Sequence, residues 1–251
     1  MGRLIVCSGA GISAESGIST FRDEGGLWEQ HSIEEVCTMS TFQENYIAVN
    51  EFYNKRRTDL AKVDPNQAHI AIAEASKDIE VINITTNVDD LLERAGCEDV
   101  IHLHGDLTKI HNFFEHGGDN EEIHVGYKAV SDSDLVANYP VKPAVIFFGE
   151  MAPKYQILDD VFASLKADDV VIVVGSSEQV VQFVYTLAYA TPDKWQYEEE
   201  ARPDFYFVNP NLDNIILPSM FNVHQTGAGS FFTSDTFKNI ITKLKKVEEH
   251  E

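Results

Sequence analysis

Cysteine is nearly absent from this chain: Cys7, Cys37 and Cys97 are an odd number among 251 residues, widely spaced and without a C-x-x-C pair. They can build neither a disulfide framework nor a cysteine zinc site, and a reducing cytosol suits them best. Positive charge is scarce as well. With 19 Lys and Arg against 41 Asp and Glu the net charge is −22, which removes the electrostatic footprint for a nucleic-acid backbone or an anionic membrane surface. No apolar run approaches the roughly 18 residues of a membrane span, and Met1-Gly2-Arg3 before Leu4-Ile5-Val6-Cys7-Ser8 is too short for a secretory signal. Repeats and low-complexity stretches are missing too. Apolar material is plentiful: 43% hydrophobic residues, with 15 Phe and 9 Tyr, can fill the core of one domain or of a large domain with a smaller insertion. A globular monomer is expected.

Five short runs rich in β-branched and aromatic residues, 4–8, 81–85, 144–148, 170–174 and 205–208, are continuously apolar, as strands covered on both faces must be. Polar stretches long enough for helices separate most of them, so the fold class is α/β, with a Rossmann-like parallel sheet over residues 1–39, 76–106 and 142–251. The segments 40–75 and 107–141 break the alternation and are expected to form a small helical lobe. Phe42, Tyr46, Val49 and Tyr53 follow a helical period, and Asp64-Pro65-Asn66 resembles a helix start. Chemistry-bearing residues follow the strands, so five segments should converge on the crevice at the carboxyl edge of the sheet.

The first of these segments is Gly9-Ala10-Gly11-Ile12-Ser13-Ala14-Glu15-Ser16-Gly17. Its glycines let the backbone approach a pyrophosphate and aim amide N–H groups at it, although a ligand-free strand-to-helix turn would read the same way. Gly17-Ile18-Ser19-Thr20-Phe21-Arg22-Asp23, with Gly26-Leu27-Trp28 beyond, adds a loop suited to covering a nucleotide. Asn87 and Asp89 lie two apart after a strand and can point to the same side, or can cap a helix. His104, just before Gly105, can face the crevice as a general base, whereas His102 would face the other way as a packed histidine. Tyr53 and Arg56, three apart, share a helix face on which a phenol and a guanidinium can hold a carboxylate; pairing of Arg56 with a surface acid is the plainer alternative.

The glycine run, Thr86-Asn87-Val88-Asp89, His102-Leu103-His104-Gly105, residues 142–150 ending in Phe148-Gly149-Glu150, Gly175-Ser176-Ser177 and Asn209 together resemble the sirtuin family, in order and over nearly the whole chain. Glu51-Phe52-Tyr53-Asn54-Lys55-Arg56-Arg57 is similar to the bacterial and mitochondrial branch that removes negatively charged acyl groups. The resemblance implies an NAD-dependent protein-lysine deacylase that yields nicotinamide, free lysine and acyl-ADP-ribose. It implies catalytic roles for His104, Asn87 and Asp89, with His104 taking the proton of a ribose hydroxyl that attacks the imidate formed once nicotinamide has left. It implies NAD contacts at Gly9, Ala10, Gly11, Ile12, Ser13, Glu15, Thr20, Phe21, Arg22, Trp28, Thr86, Asn87, Asp89, Gly175, Ser176, Ser177, Asn209 and Ala228. The acyl-lysine substrate, a protein or peptide, would meet Tyr53, Arg56, Phe148, Gly149, Glu150 and Val180, with Tyr53 and Arg56 on the distal carboxylate of succinyl- or malonyl-lysine.

Three departures stand out. Thr86 replaces the usual Gln, Gln182 replaces the usual Pro, and no cysteine lies between His104 and Pro143, where members of this branch carry four. No zinc is therefore expected; His111, His116, His124, Asp119 and Glu122 match no standard metal spacing. The Thr86 change and the altered lobe keep an NAD glycohydrolase or ADP-ribosyltransferase in view, and a non-catalytic NAD or ADP-ribose sensor is a third reading.

Overall fold

The computed structural model describes residues 2–20, 32–112, 122–130, 140–189 and 202–245. β1 (Leu4–Ser8) is buried along its whole length, as a central strand covered on both faces must be. Two short 3₁₀ turns, Ala10–Ile12 and Ala14–Ser16, follow it. Three helices come next, α1 (Ile33–Val36), α2 (Tyr46–Leu60) and α3 (Gln67–Ala75). The side chain of Asn66 caps α3 by accepting from the Ala68 N–H at 2.9 Å. The chain then forms β2 (Val81–Thr85), α4 (Leu91–Ala95), β3 (Ile101–His102), β4 (Gly105–Asn112), β5 (Glu122–His124) and β6 (Val141–Val145). It finishes with α5 (Tyr155–Ala163), β7 (Val170–Val174), α6 (Phe183–Tyr189), β8 (Asp204–Val208), β9 (Phe221–His224), α7 (Ala228–Phe232) and α8 (Asp235–Lys245).

Six strands form one parallel sheet in the order β3-β2-β1-β7-β8-β9. The order reverses between β1 and β7, so a crevice opens where their carboxyl ends part, the position such sheets give to ligands. Alternate residues of the central strands face opposite ways. Leu4, Val6, Ile172 and Val174 pack with Ile72, Phe231, Phe237 and Ile240 of α3, α7 and α8. Ile5, Cys7, Val171 and Val173 pack with Leu158, Phe162, Phe183 and Leu187 of α5 and α6. The backbone ladder runs one residue past five of the six strands: Gly9 N–H donates to Val174, Thr86 to Ser8, Leu103 to Thr85, Gly175 to Val208 and Asn209 to His224. The loops that line the crevice thus begin as extensions of the sheet.

The run 144–148, expected as a strand of the parallel sheet, is not one. The strand lies at Val141–Val145, pairs antiparallel with β4, and forms an edge of a separate three-stranded sheet ordered β5-β4-β6. Pro143 has no N–H to give a central ladder, and an edge strand needs none on its open side. The segment 40–75 is helical as expected, whereas the described part of 107–141 contributes strands. A separate apolar cluster, including Phe42, Val49, Phe52, Tyr53, Val145 and Phe147, joins α2 to the end of β6. Phe113, Phe114, His116 and Asp119 lie outside the described residues.

Candidate active site

Gly11 and Gly175 bring the turns after β1 and β7 into contact at the switch point. A Cβ on Gly11 would stand 2.6 Å from the Gly175 Cα, and Gly175 has φ +61° with its own Cβ position 2.5 Å from Ile12 N. No side chain fits between these backbones, so glycine is required on both sides. The amides of Gly9 and Gly11 already donate to Val174 and Gly175 carbonyls, both at 3.0 Å. This corrects the expectation that these two N–H groups aim at a pyrophosphate: they bind the two turns together, and the small residues give a ligand room.

Two connected polar networks line the opening. Asn66 N–H donates to His69 Nδ1 at 3.2 Å, which leaves the proton of a neutral imidazole on Nε2, 3.5 Å from Ser13 Oγ. Burial depresses His69 to about 4, so it is neutral near pH 7. Ser13 Oγ also accepts from Asn87 Nδ2 at 3.2 Å and donates to Asp89 Oδ2 at 3.0 Å. Burial raises the Asp89 carboxyl, and the bonds from Leu91 N–H and Ser13 work against that rise. Asn87 and Asp89 therefore do face the same side. His102 is buried as expected, and it also holds this loop from behind, with Nδ1 2.7 Å from the Asn87 carbonyl and Nε2 2.7 Å from Glu93 Oε1. Burial, the largest single influence, opposes its charge, but the Glu93 carboxylate together with the Asn87 carbonyl and Asp106 raises its pKa overall.

The second network holds His104, which leaves β3 on one side of Gly105. Gly105 has φ +92°, and a Cβ there would lie 2.0 Å from the Ala144 carbonyl oxygen, so only glycine lets β4 start this close to β6. His104 Nδ1 stands 3.1 Å from the Thr86 carbonyl, an acceptor, and is therefore the protonated nitrogen. Nε2 is left with its lone pair, 2.9 Å from the Tyr155 hydroxyl. Burial lowers the His104 pKa, and the Thr86 carbonyl partly restores it. Thr86 Oγ1 itself turns to the Ser8 carbonyl at 3.4 Å.

A cavity of about 440 Å³ opens in front of His104, Thr86 and Tyr155. Gly9, Ala10, Gly11, Thr20, Thr86, His104, Gly175, Ser176, Ser177 and Asn209 line it, and so do Tyr53, Arg56, Phe148, Gly149, Glu150 and Val180. An adjoining space of about 330 Å³ is lined by Ser13, Asn87, Asp89 and Arg56. Arg56 thus belongs to both walls. Its guanidinium lies 4.1 Å from the Phe52 ring centre, and its buried Nε has no hydrogen-bond partner among the described residues. The Tyr53 phenol is held far above its usual range, by burial first and by its hydrogen bond with Cys37.

Three expected contacts lie elsewhere. Ile12 is in the core; Glu15 accepts from Gly229 N–H at 2.9 Å at the start of α7; Ala228 is buried beside it. Apolar burial accounts for Ile12 and Ala228, and the bond to the first turn of α7 accounts for Glu15. Phe21, Arg22 and Trp28 fall outside the described residues. The backbone of Phe148, expected to meet the substrate, is engaged within the protein: its N–H donates to the Cys37 carbonyl and its carbonyl accepts from Met39 N–H. Glu150 accepts from Phe147 N–H at 2.7 Å and pairs with buried Lys142 at 2.9 Å, so its carboxylate staples the loop. His69, Cys37 and Tyr155 were not anticipated, because each reaches the site from a segment without a motif of its own.

The residues fit a nucleotide: the buried Asn87 Oδ1 has no partner among the described residues, and Asn87 lines a space bounded also by Ala10, Ser13, Gly17 and Asp89. Among the described residues no group of three or more His, Cys, Asp or Glu could hold a metal, and Cys7, Cys37 and Cys97 are each buried and free.

A family model described as the Sir2 family matches residues 9–182. The NAD-dependent protein deacylase of Helicobacter hepaticus is 43% identical over 218 residues, covering 76% of this chain and 80% of that protein. That of Aggregatibacter actinomycetemcomitans is 44% identical over 176 residues, covering 70% and 82%. A solved Sir2 homolog–NAD complex superposes with a TM-score of 0.74 at 30% identity, covering 98% of this chain and 90% of that one. With its glycine turns, its paired loop residues and its imidazole gathered at the switch point of the sheet, this chain belongs to the Sir2 family.

Proposed function

We propose that this protein is an NAD-dependent protein-lysine deacylase that favours acidic acyl groups such as succinyl and malonyl. One observation carries the preference: His104, Tyr53 and Arg56 line one continuous cavity that begins at the Gly9–Gly11 turn, and the buried Arg56 Nε there lacks a partner among the described residues. An uncommitted guanidinium donor in a partly buried wall is suited to a carboxylate.

NAD is the co-substrate; when bound it supplies a ribose carbon from which nicotinamide departs. Ser13 holds the Asn87 amide and the Asp89 carboxylate in one orientation beside that ribose. His104, uncharged and protonated on Nδ1, presents Nε2 to take the proton of a ribose hydroxyl. Phe148, Gly149 and Val180 offer a partly apolar wall for the lysine chain and its peptide. The three free thiols suit a reducing cytosol, and among the described residues no helix is long and apolar enough to cross a membrane.

The test is mass spectrometry of reactions with NAD and matched acetyl- and succinyl-lysine peptides. Succinyl-ADP-ribose should dominate, vanish in His104→Ala, and fall in Arg56→Met by about 10- to 100-fold more than the acetyl product, as loss of a charge-assisted bond implies. Equal losses on both peptides would remove the carboxylate role from Arg56. Nicotinamide release with free ADP-ribose alone would favour glycohydrolysis instead.

A further inference from the structure

Tyr155 is the first residue of α5, and its ring packs at the edge of the apolar cluster formed by α5, α6 and the sheet. Its hydroxyl leaves that cluster and meets the imidazole of His104, 2.9 Å from Nε2, with ring centres 6.1 Å apart. The direction of the bond follows from the other nitrogen. Nδ1 gives its proton to the Thr86 carbonyl, so Nε2 accepts and the phenol donates. Burial raises the Tyr155 pKa, which keeps the phenol a donor at neutral pH.

A neutral imidazole has one lone pair for a hydrogen bond in its plane. On the reading of His104 as general base, a ribose hydroxyl has to point at that same lone pair. The two hydroxyls exclude each other. We propose that Tyr155 is a stand-in hydroxyl: in the empty enzyme it occupies the place on His104 Nε2 that the ribose hydroxyl takes, and it gives up that place when the nucleotide binds. Tyr155 is therefore a positioning residue. It keeps its own proton throughout, satisfies a half-buried acceptor while the crevice is open, and holds the imidazole in the tautomer that the reaction needs. The charged side chains lining the same cavity are Arg56, Glu150 and Glu178. Glu150 is tied to Lys142 and Phe147 N–H, and Glu178 to Ser176 Oγ and Val184 N–H, so the phenol is the side chain recorded on Nε2.

The test is a histidine-ring ¹⁵N titration of the full chain and of Tyr155→Phe, each free and saturated with ADP-ribose, with the His104 signal assigned through His104→Ala. A hydroxyl donated to Nε2 favours the neutral ring, so its removal should raise the His104 pKa of the free protein by about 0.5–1 unit. ADP-ribose should bring the two proteins to a common value. His102, bonded to Asn87 and Glu93 and not to Tyr155, should titrate alike in both, as it would not if the substitution disturbed the fold. In the unsubstituted protein, the Tyr155–His104 ring contact should give a cross-peak that ADP-ribose abolishes. Identical His104 titrations in the free proteins would overturn the inference, as would a difference or a cross-peak that persists with ADP-ribose. Either result together with an inactive His104→Ala refutes only the stand-in; full deacylation by His104→Ala refutes the general base whatever the titration shows.

Discussion

Ser13 Oγ is the atom on which the polar half of the crevice depends. It takes protons from Asn87 and His69 and gives its own to Asp89, so one hydroxyl aligns an amide and a buried carboxylate. Ser13→Ala leaves Asp89 without that donor and Asn87 without its anchor. Nicotinamide exchange with NAD and an acyl-lysine peptide should fall by about 10- to 100-fold, the size of a lost bond to a charged group, while the thermal midpoint changes little. An unchanged exchange rate would show that the loop keeps its geometry without the serine. Asn87, Asp89 and His104 stood out in the sequence because each follows a strand and has a side chain with evident chemistry, whereas Ser13 entered only as an NAD contact that the family resemblance implied. His69 was not, since its part depends on a tautomer set by the first turn of α3. Tyr155 and Cys37 were hidden for a similar reason: contact with His104 or Tyr53 is a property of the folded chain and has no spacing to betray it.

At the scale of elements, α2 shows how two adjacent arginines divide their work. Arg56 reaches the cavity, whereas Arg57 is fully buried, with Nε donating to the Leu107 carbonyl at 2.7 Å and Nη1 to Asn54 Oδ1 at 2.6 Å. Burial depresses Arg57 to about 10, which still leaves it charged at neutral pH. It ties α2 to β4. Arg57→Met should lower unfolding free energy by about 1–3 kcal/mol, because the buried Leu107 carbonyl loses its donor while Asn54 Oδ1 keeps the Val130 N–H at 3.0 Å, and Arg56→Met should stay within about 0.5 kcal/mol. Urea unfolding of both variants measures the difference; equal midpoints would mean that Arg57 is not the tie. The parallel sheet itself was legible from its apolar runs, which parallel strands buried on both faces impose. β6 was misplaced because its burial imitates that of a central strand, although Pro143 carried the sign of an edge. β9 escaped notice because four residues with only Phe221 buried make no pattern.

For the whole molecule, pH acts through a histidine that folding keeps neutral. His69 titrates near 6.5 when unfolded and near 4 when folded, so the unfolded chain binds the extra proton between those values. The stability it contributes is complete above pH 6.5 and is lost as pH falls toward 4. By pH 5 the loss should reach about 2 kcal/mol relative to pH 7. His69→Gln should flatten that slope, as measured by chemical unfolding at each pH. An equally steep slope in the variant would assign acid sensitivity to the carboxylates. His102 has the opposite sign: Glu93 raises its folded pKa, so its contribution is present below the unfolded value and fades as pH rises through the folded one. The surplus of 22 negative charges belongs to this scale too. It favours encounter with peptides whose flanks are basic and makes that preference weaken with salt.

The ladder that continues past the strands binds catalysis to endurance. Amides of Gly9, Thr86, Leu103, Gly175 and Asn209 are closed by the same rungs that close the sheet, so no separate, softer unit carries the floor of the crevice. Deuterium should enter these five positions as slowly as it enters β1 and β7, and on heating, turnover and secondary structure should disappear in a single transition.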